Sequence, residues 1–297
     1  MDHWDEIRTA FHVARAGTVS GAADSLGIHH ATVIRHIDTL EARMGVKLFQ
    51  RHARGYTPTE AGTDLARIAA TTEEQFIQLG TRLKGQGEDV SGEVVVTALA
   101  SFSPRLTPVL AAFQHANPNT VIRLRTGLRL LRLEYGEAHV AVRAGSAPQE
   151  PDNVAQRFLN MELGLYVSPL YVERYGMPSE QTLDQHHFIG GDDATSRAPF
   201  IRWMNDNVDE ENITFRVTDD VSLQQALLAG AGVGFAVRGQ HPEMLEVMPP
   251  LPEWRSEFWL VTHVDLHRSA KVQAVLRCLK DAAKVWAASD PAISLPD

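Results

Sequence analysis

Cysteine is almost missing from this sequence, and its scarcity limits the chemistry that the chain can perform. The single residue, Cys278, cannot form an internal disulfide, and it cannot supply a zinc site made of several cysteines. Its neighbours at helical spacing are apolar, so we expect the thiol to pack in a core. A redox switch through this thiol is the alternative.

Long apolar runs are missing as well. No stretch approaches the roughly 18 consecutive apolar residues that a membrane-spanning helix needs. The first residues, Met-Asp-His-Trp-Asp-Glu, are too acidic and polar for a signal peptide. We therefore expect a cytoplasmic protein with no membrane partner. The chain has 297 residues, 44% of them hydrophobic, which is enough for two or three packed units.

The signature motifs of common enzymes are also absent. The sequence contains no Gly-x-Ser-x-Gly elbow, no Walker loop and no His-Glu-x-x-His motif. The glycine-rich run at 230–234 follows a predicted helix and precedes a predicted strand, which is the reverse of a dinucleotide loop. We expect neither an enzyme nor a cofactor. An α/β enzyme fused to a further domain stays as a rival, and it would need a convergent nucleophile and base.

Acidic residues dominate the chain, but unevenly. The formal net charge is −9, whereas residues 1–60 carry seven Lys or Arg against seven Asp or Glu. Within 29–56 there are five basic residues, two acidic residues and four histidines. A local basic surface is sufficient for contact with phosphates, and the acidic remainder would be repelled by a nucleic acid.

A helix is predicted between His29 and Met44, because four apolar residues recur there at i, i+4, i+7 and i+11. They are Val33, Ile37, Leu40 and Met44. This spacing places them on one face and leaves polar residues on the other faces. Those polar residues are His29, His30, Thr32, Arg35 and His36.

Short elements surround this helix. Residues 4–16 have the periodicity of a supporting helix that ends at Gly17, and Ser20 is positioned to cap a further short helix that stops at Gly27. Residues 47–57 favour a small β-hairpin. A helix-turn-helix followed by a basic hairpin is typical of a winged DNA-binding unit.

The start of a recognition helix reaches base edges in the major groove. We therefore predict that His29, His30, Thr32 and Arg35 contact bases, since arginine can pair with guanine and histidine with purine edges. Adjacent histidines on a helix point about 100° apart, so we expect no metal site there. The remaining predicted DNA contacts are His36 on the same helix and Ser20, Arg51 and Arg54, the last three to phosphates. A plain cap for Ser20 and plain surface charge for the two arginines are the alternatives.

A long helix is predicted from Thr59 to Leu83, with a heptad seam along one side. The seam consists of Leu65, Ala69, Thr72, Phe76, Leu79 and Leu83. Such a helix has no evident neighbour of its own, so pairing with a second copy of the chain would bury the seam. Packing against the C-terminal part of the same chain is the alternative.

Beyond a glycine-rich hinge at 85–92, strands alternate with helices, which indicates a mainly parallel α/β sheet. The predicted strands are 93–98, 121–126, 139–143, 163–167, 187–190, 213–217, 233–237 and 257–262. The predicted helical segments are 104–115, 128–135, 169–175, 222–229 and 269–286.

Parallel sheets bind ligands beyond the carboxyl ends of their strands. Residues 100–103, Ala-Ser-Phe-Ser, occupy that position directly before a predicted helix. Their hydroxyls and free amides suit a carboxylate or a similar small anion. A plain connecting loop fits these residues equally well.

The N-terminal pattern resembles the LysR-type transcriptional regulators over about the first 65 residues. The resemblance is carried, in order and spacing, by Ala22-Ala23 with Leu26, Leu40-Glu41, Gly45, Leu48-Phe49-Gln50-Arg51 and Thr59-Glu60-Ala61-Gly62. It departs from the family at His29-His30, where Ser-Gln is usual, and at Ile34, where Ser is common. We interpret both departures as a change in base preference.

The resemblance implies an α/β architecture with an N-terminal winged helix-turn-helix and a long linker helix. These are followed by a two-lobed α/β effector domain of the periplasmic-binding-protein type. The implied boundaries are 1–60 for the DNA-binding domain, 61–90 for the linker and 91–297 for the effector domain. Within the effector domain, lobe I would comprise 91–161 and 267–290, and lobe II would comprise 162–266.

The implied function is a DNA-binding regulator of a two-fold site, modulated by a small molecule between the lobes. The implied partners are double-stranded DNA, an effector that can be anionic, further copies in a homodimer or homotetramer, and RNA polymerase. The predicted effector contacts are Ser101, Phe102, Ser103, Thr126, Arg143, Thr195 and Ser196. A regulator that binds no ligand because side chains fill its cleft is the alternative. His139, where the family usually has Asp, and Arg238, where it has a proline-ended strand, are departures in this half.

Overall fold

The computed structural model describes residues 3–52, 55–83, 90–192 and 198–296. Contacts divide the chain into two units, the first within 1–88 together with 132–137 and the second within the remainder. Most of the predicted hinge at 85–92 lies outside the described residues.

The first unit begins with three helices and a hairpin, in the predicted order. They are α1 (Trp4–Ala16), α2 (Val19–Leu26), α3 (His30–Met44), β1 (Phe49–His52) and β2 (Gly55–Pro58). The two strands pair antiparallel and form the wing. The prediction of a winged helix-turn-helix is confirmed.

The apolar face of α3 forms the centre of the core of this unit. Val33, Ile37 and Leu40 are buried among the apolar side chains of α1 and α2, as their spacing predicts. Met44 is 50% exposed, so its assignment to the buried face is wrong. It occupies the last helical position, directly before the helix ends at Gly45.

The cap of α2 differs from the prediction. Thr18 is the N-cap, and its Oγ1 accepts a hydrogen bond from the amide of Gly21 over 3.1 Å. Ser20 lies one residue inside the helix with its side chain exposed. The capping role assigned to Ser20 is therefore wrong, because the extended backbone needed at an N-cap occurs two residues earlier.

The long helix α4 (Glu60–Leu83) has the predicted extent. Its seam is not uniform, because Leu65 and Ala69 are buried within the first unit, where α4 packs along α1. Phe76 is 55% exposed. The side chains of Leu79 and Leu83 lie outside the described residues. The first half of the seam is therefore packed inside the first unit.

The second unit contains a six-stranded sheet that forms lobe I, in the order β13-β6-β12-β5-β3-β4. Strands β3, β4 and β5 run parallel, and β12 and β6 are antiparallel to their neighbours. The strands are β3 (Gly92–Ala98), β4 (Thr120–Thr126), β5 (Val140–Ala144), β6 (Asn153–Met161), β12 (Ser256–His263) and β13 (Ile293–Ser294).

Two helices, α5 (Ser103–Ala116) and α10 (Ala270–Ser289), supply most of the helical part of the lobe I core. Cys278 on α10 packs against this core and is half-buried. Burial, reinforced by the charge of Asp281, raises the pKa of its thiol. These surroundings agree with the predicted packing role and make the thiolate rare at neutral pH.

Lobe II has a smaller set of strands around its own core. An antiparallel sheet has the order β10-β7-β11, and β8 pairs parallel with β9. The elements are β7 (Leu163–Val167), α6 (Pro169–Tyr175), β8 (Ile189–Gly191), α7 (Pro199–Asn207), β9 (Phe215–Val217), α8 (Asp220–Leu228), β10 (Gly234–Val237) and β11 (Leu245–Met248). The short helix α9 (Val264–His267) follows β12 in lobe I.

The boundary between the lobes differs from the prediction. Because β12 pairs with β5 and β6, the chain returns to lobe I at Ser256 and not at residue 267. The predicted helix at 128–135 is also wrong, since only a 3-10 turn at Leu133–Tyr135 forms there. In the described part of the chain, no helix has the length and apolar character needed to cross a membrane.

Candidate functional site

The start of α3 presents a polar surface that the fold leaves open. His29, His30 and Arg35 are exposed, and Thr32 is half-buried beside them. His29 is the N-cap of α3, yet its imidazole makes no capping hydrogen bond, so the ring is available for other contacts. The structure therefore brings together the four residues predicted to contact bases.

His36 has a different environment. Its Nδ1 lies 2.9 Å from Oγ1 of Thr9 on α1, and that hydroxyl donates to the carbonyl oxygen of Asp5 over 2.7 Å. Because the hydroxyl has one proton, it accepts from His36, which fixes Nδ1 as the protonated nitrogen. His36 thus packs α3 against α1, and we do not retain it among the DNA contacts.

Glu41 on α3 positions the wing, a role that the sequence did not reveal. Its side chain is 2% exposed, and Oε1 accepts from the amides of Leu48 and Phe49 over 2.9 and 3.2 Å. Oε2 accepts from Nζ of Lys47 over 2.7 Å. Burial alone would raise the pKa of Glu41, but the hydrogen bonds from Lys47 and the two amides outweigh it and lower that pKa.

Arg51 in the wing is paired with acidic residues of its own unit. Its Nη2 donates to Oδ1 of Asp38 over 2.5 Å and to Oε2 of Glu41 over 3.2 Å, and its guanidinium lies over the ring of Tyr56. The hydrogen bond to Asp38 raises the pKa of Arg51. The two carboxylates neutralise much of the positive charge with which Arg51 was predicted to bind a phosphate. Arg54 lies outside the described residues.

Lys47 is a cation of the wing that the prediction of DNA contacts omitted. Its side chain is 74% exposed even though Nζ pairs with Glu41. It lies two residues before β1, and its side chain is more exposed than that of Arg51, which suits it to a phosphate. Its position as the first residue of the predicted hairpin was the signal that could have identified it.

The Thr-Glu-Ala-Gly segment at 59–62 joins α4 to the wing. The hydroxyl of Thr59 donates to the carbonyl oxygen of Lys47 over 2.7 Å, and its oxygen accepts from the amide of Gly62. The amide of Thr59 donates to the carbonyl oxygen of Leu48 over 2.9 Å. A Cβ at position 62 would overlap that carbonyl oxygen, so only glycine permits this approach.

In the second unit, four predicted effector residues lie at one edge of the lobe I sheet. Ser101 and Ser103 follow β3, Thr126 ends β4, and Arg143 lies near the end of β5. These strands are parallel, so their carboxyl ends share an edge. Thr195 and Ser196 lie outside the described residues.

Phe102 does not face this edge. It is 3% exposed, and its ring stacks on Phe258 at 5.2 Å and contacts Phe158 and Trp286 edge-on. Its assignment to the effector site is therefore wrong. The segment at 100–103 is a turn of helix and not an extended loop, so the central side chain points into the lobe I core.

The amide of Ser101, predicted to bind an anion, already has an acidic acceptor. It donates to Oδ2 of Asp220 over 2.9 Å. Asp220 is the first residue of α8 in lobe II, so this hydrogen bond joins the two lobes within the second unit. The prediction did not include Asp220, because it lies 119 residues away in the sequence.

Arg143 is largely buried at the same edge of the sheet. Its Nη2 donates to the carbonyl oxygen of Leu131 over 3.2 Å, and Nη1 lies 3.6 Å from Oε1 of Glu150. Its Nε is buried and has no hydrogen-bond partner among the described residues. A buried guanidinium with a spare donor is suited to an anionic group.

His139 explains one departure from the family pattern. Its Nδ1 accepts a hydrogen bond from the amide of Val95 over 3.0 Å, and its own amide donates to the carbonyl oxygen of Val95 over 2.8 Å. The imidazole thus provides the acceptor that a carboxylate could provide at this position. It helps to align β5 with β3.

Family models match almost the whole chain. The model for the bacterial regulatory helix-turn-helix protein of the lysR family matches residues 4–63, and the model for the LysR substrate binding domain matches residues 87–284. The second match alone extends over more than half of the chain.

Individual relatives support the same assignment. An HTH-type transcriptional repressor of Pseudomonas aeruginosa is 26% identical over 307 residues, covering 99% of this chain and 95% of its own length. Full-length OxyR from Pseudomonas aeruginosa shares the fold with a TM-score of 0.67 at 14% identity, covering 94% of this chain and 93% of its own. Full-length LysG from Corynebacterium glutamicum, solved with arginine bound as effector, has a TM-score of 0.63 at 15% identity, covering 95% and 98%. This chain belongs to the LysR family of transcriptional regulators.

Proposed function

We propose that this regulator binds a two-fold DNA operator through the start of α3 and the wing, and that a small molecule between the lobes modulates the binding. The observation that carries the DNA-binding part is the exposed set of His29, His30 and Arg35 beside a wing that Glu41 holds in place. Arg35 would pair with a guanine, and the two imidazoles would contact neighbouring purine edges.

Two copies of the chain would supply the two-fold symmetry. On the described part of α4, Ile68 and Phe76 are each 55% exposed, and a second copy would cover these apolar side chains. Two recognition helices would then enter successive major grooves on one side of the duplex. A dimer, or a tetramer made of two such pairs, would act in the cytoplasm and contact RNA polymerase.

The effector would bind at the edge of the lobe I sheet where Ser101, Ser103, Thr126 and Arg143 lie. The buried Nε of Arg143 favours an anionic group in that ligand. Binding of arginine as effector by LysG supports a ligand of small, amino-acid size. Such a ligand changes DNA binding only if its affinity differs between two quaternary arrangements.

A ligand-independent regulator is the second candidate, and one observation favours it. The amide of Ser101 is bound by Asp220, so part of the predicted site is filled by the protein itself. Isothermal titration with a panel of small carboxylic acids separates the two candidates. Heat of binding that is lost on Arg143→Ala supports the effector-dependent regulator.

Footprinting of the full-length protein on genomic DNA tests the DNA-binding proposal. We expect protected sites in which two half-sites are related by a two-fold axis and separated by about one helical turn. Sedimentation should show a dimer or a tetramer under the same conditions. A monomer that does not bind duplex at low ionic strength would exclude the proposal.

A further inference from the structure

The backbone amide of Ser101 has no acceptor within its own turn. It belongs to the 3-10 turn Ala100–Phe102, and the first amides of a helical turn lack intrahelical partners. The amide of Phe102, by contrast, donates to the carbonyl oxygen of Leu99 over 3.1 Å. Ser101 therefore needs an acceptor from elsewhere, and a partly buried amide without one would be costly.

Asp220 supplies that acceptor from the opposite lobe. The bond is 2.9 Å long and partly buried, and its acceptor is a carboxylate, which makes a stronger bond than a neutral group does. It also joins the segment after β3 to the first turn of α8. The contact is thus a bond within the second unit between lobe I and lobe II.

Asp220 is not the residue that caps α8. The neighbouring Asp219 is the N-cap, because its Oδ1 accepts from the amide of Ser222 over 2.8 Å and its Oδ2 from the hydroxyl over 2.7 Å. The chain thus has two consecutive aspartates with separate tasks. Loss of the bond from Asp220 to Ser101 would leave the cap of α8 intact.

We propose that the carboxylate of Asp220 occupies the place at the Ser101 amide where an anionic effector binds, and that it holds the two lobes together until the effector displaces it. This inference rests on the proposed effector-binding function. An incoming carboxylate must replace Asp220 at the amide, and it meets the negative charge of Asp220 at close range. Asp220 thereby weakens the binding of anions and couples their binding to a change in the contact between the lobes.

Hydrogen exchange of the full-length protein tests the contact without any ligand. Mass spectrometry with fragmentation that isolates the Ser101 amide would compare wild type with Asp220→Ala. We expect exchange to become at least about tenfold faster, as for the loss of a charge-assisted hydrogen bond. An unchanged rate would overturn the proposal.

Asp219→Ala is the matched control, because it removes the neighbouring carboxylate and the cap of α8. It should speed exchange at Ser222 and leave Ser101 unchanged. Equal acceleration of Ser101 in both variants would show that α8 had merely loosened, and this result too would overturn the proposal.

Acetate is the probe for competition. At the same acetate concentration, the Ser101 amide should regain protection in Asp220→Ala and show little further change in wild type. An equal gain in protection when acetate is added to either protein, or no gain in Asp220→Ala, would refute displacement. Calorimetry separates this inference from the proposed function. If no effector binds but Ser101 exchange is faster in Asp220→Ala, the bond between the lobes exists and has no role in effector binding.

Discussion

At the scale of single residues, two arginines that were both predicted to contact DNA have different surroundings in the structure. Arg35 is exposed at the start of α3. Arg51 is held by Asp38 and Glu41, so much of its charge is already compensated. We therefore expect Arg35 to discriminate between bases and Arg51 to contribute less to phosphate binding than its position in the wing indicates.

Arg35→Ala should relax base preference at one position in each half-site by about 1–3 kcal/mol, because a bidentate pair with guanine is lost. Competition binding with operators that carry each base at every position measures this change. Arg43→Ala is the control, since Arg43 lies on the same helix and pairs with Glu6. Equal losses on specific and random duplexes for Arg35→Ala would show that Arg35 contacts phosphate.

Glu41→Gln should weaken the attachment of the wing by about 1–3 kcal/mol, because Lys47 and Arg51 lose a buried charged acceptor. Since the pKa of Glu41 is lowered in the folded protein, its stabilisation is present above the pKa of the unfolded chain. That stabilisation is lost as the pH falls through the lowered pKa.

Hydrogen exchange of the Leu48 and Phe49 amides measures this effect. The rates are compared between wild type and Glu41→Gln from pH 7 down to 4. The difference in opening free energy should be constant near neutrality and shrink toward the acidic end. Glu60→Gln, an exposed change in the first turn of α4, should show no such trend. A difference that grows with acidity would contradict the assigned role.

At the scale of elements, periodicity predicted the helices and strands whose faces are set locally. The apolar repeat of α3 and the length of α4 are examples. The strand β6 was missed because Asn153, Gln156 and Arg157 interrupt its apolar pattern, although β12 and β13 flank it in the sheet. Such a strand is specified by its neighbours and not by its own residues.

The junction of α4 with the wing gives a prediction at this scale. Gly62→Ala should destabilise the first unit by about 1–3 kcal/mol, because the new Cβ would overlap the carbonyl oxygen of Leu48. In an unobstructed helix the same change stabilises by about 1 kcal/mol. Urea-dependent hydrogen exchange of the α3 and α4 amides would show the sign, with exposed Thr63→Ala as a nearly neutral control.

The exposed side of α4 gives another prediction. Ile68→Glu should weaken dimerisation at least about tenfold, because a charge enters an apolar contact between two copies. Sedimentation velocity across a concentration series measures the dissociation constant. Ala70→Glu places the same charge on another exposed side of the helix and should leave the dimer intact. A dimer unaffected by Ile68→Glu would mean that the copies pair elsewhere.

At the scale of the whole molecule, the sequence indicated the family architecture and missed the long-range contacts that define the sites. The late strand β12 crosses back into lobe I earlier than expected, because its partners β5 and β6 lie more than 90 residues upstream. Asp220 meets Ser101 across 119 residues. Periodicity carries no signal for such pairs, since it reports faces of single elements and not which elements meet.

A dimer with two recognition helices requires a fixed phase between its half-sites. Inserting five base pairs between them should lower affinity at least about tenfold, because one half-site rotates by half a turn away from its recognition helix. Inserting ten base pairs restores the phase and should recover part of the affinity, to the extent that the linked subunits can span the added length. Electrophoretic mobility shifts at constant salt compare these operators with one whose spacer is changed in sequence but not in length. Equal affinity for all spacers would mean that each DNA-binding unit acts independently, and α4 would then have no role in setting their separation.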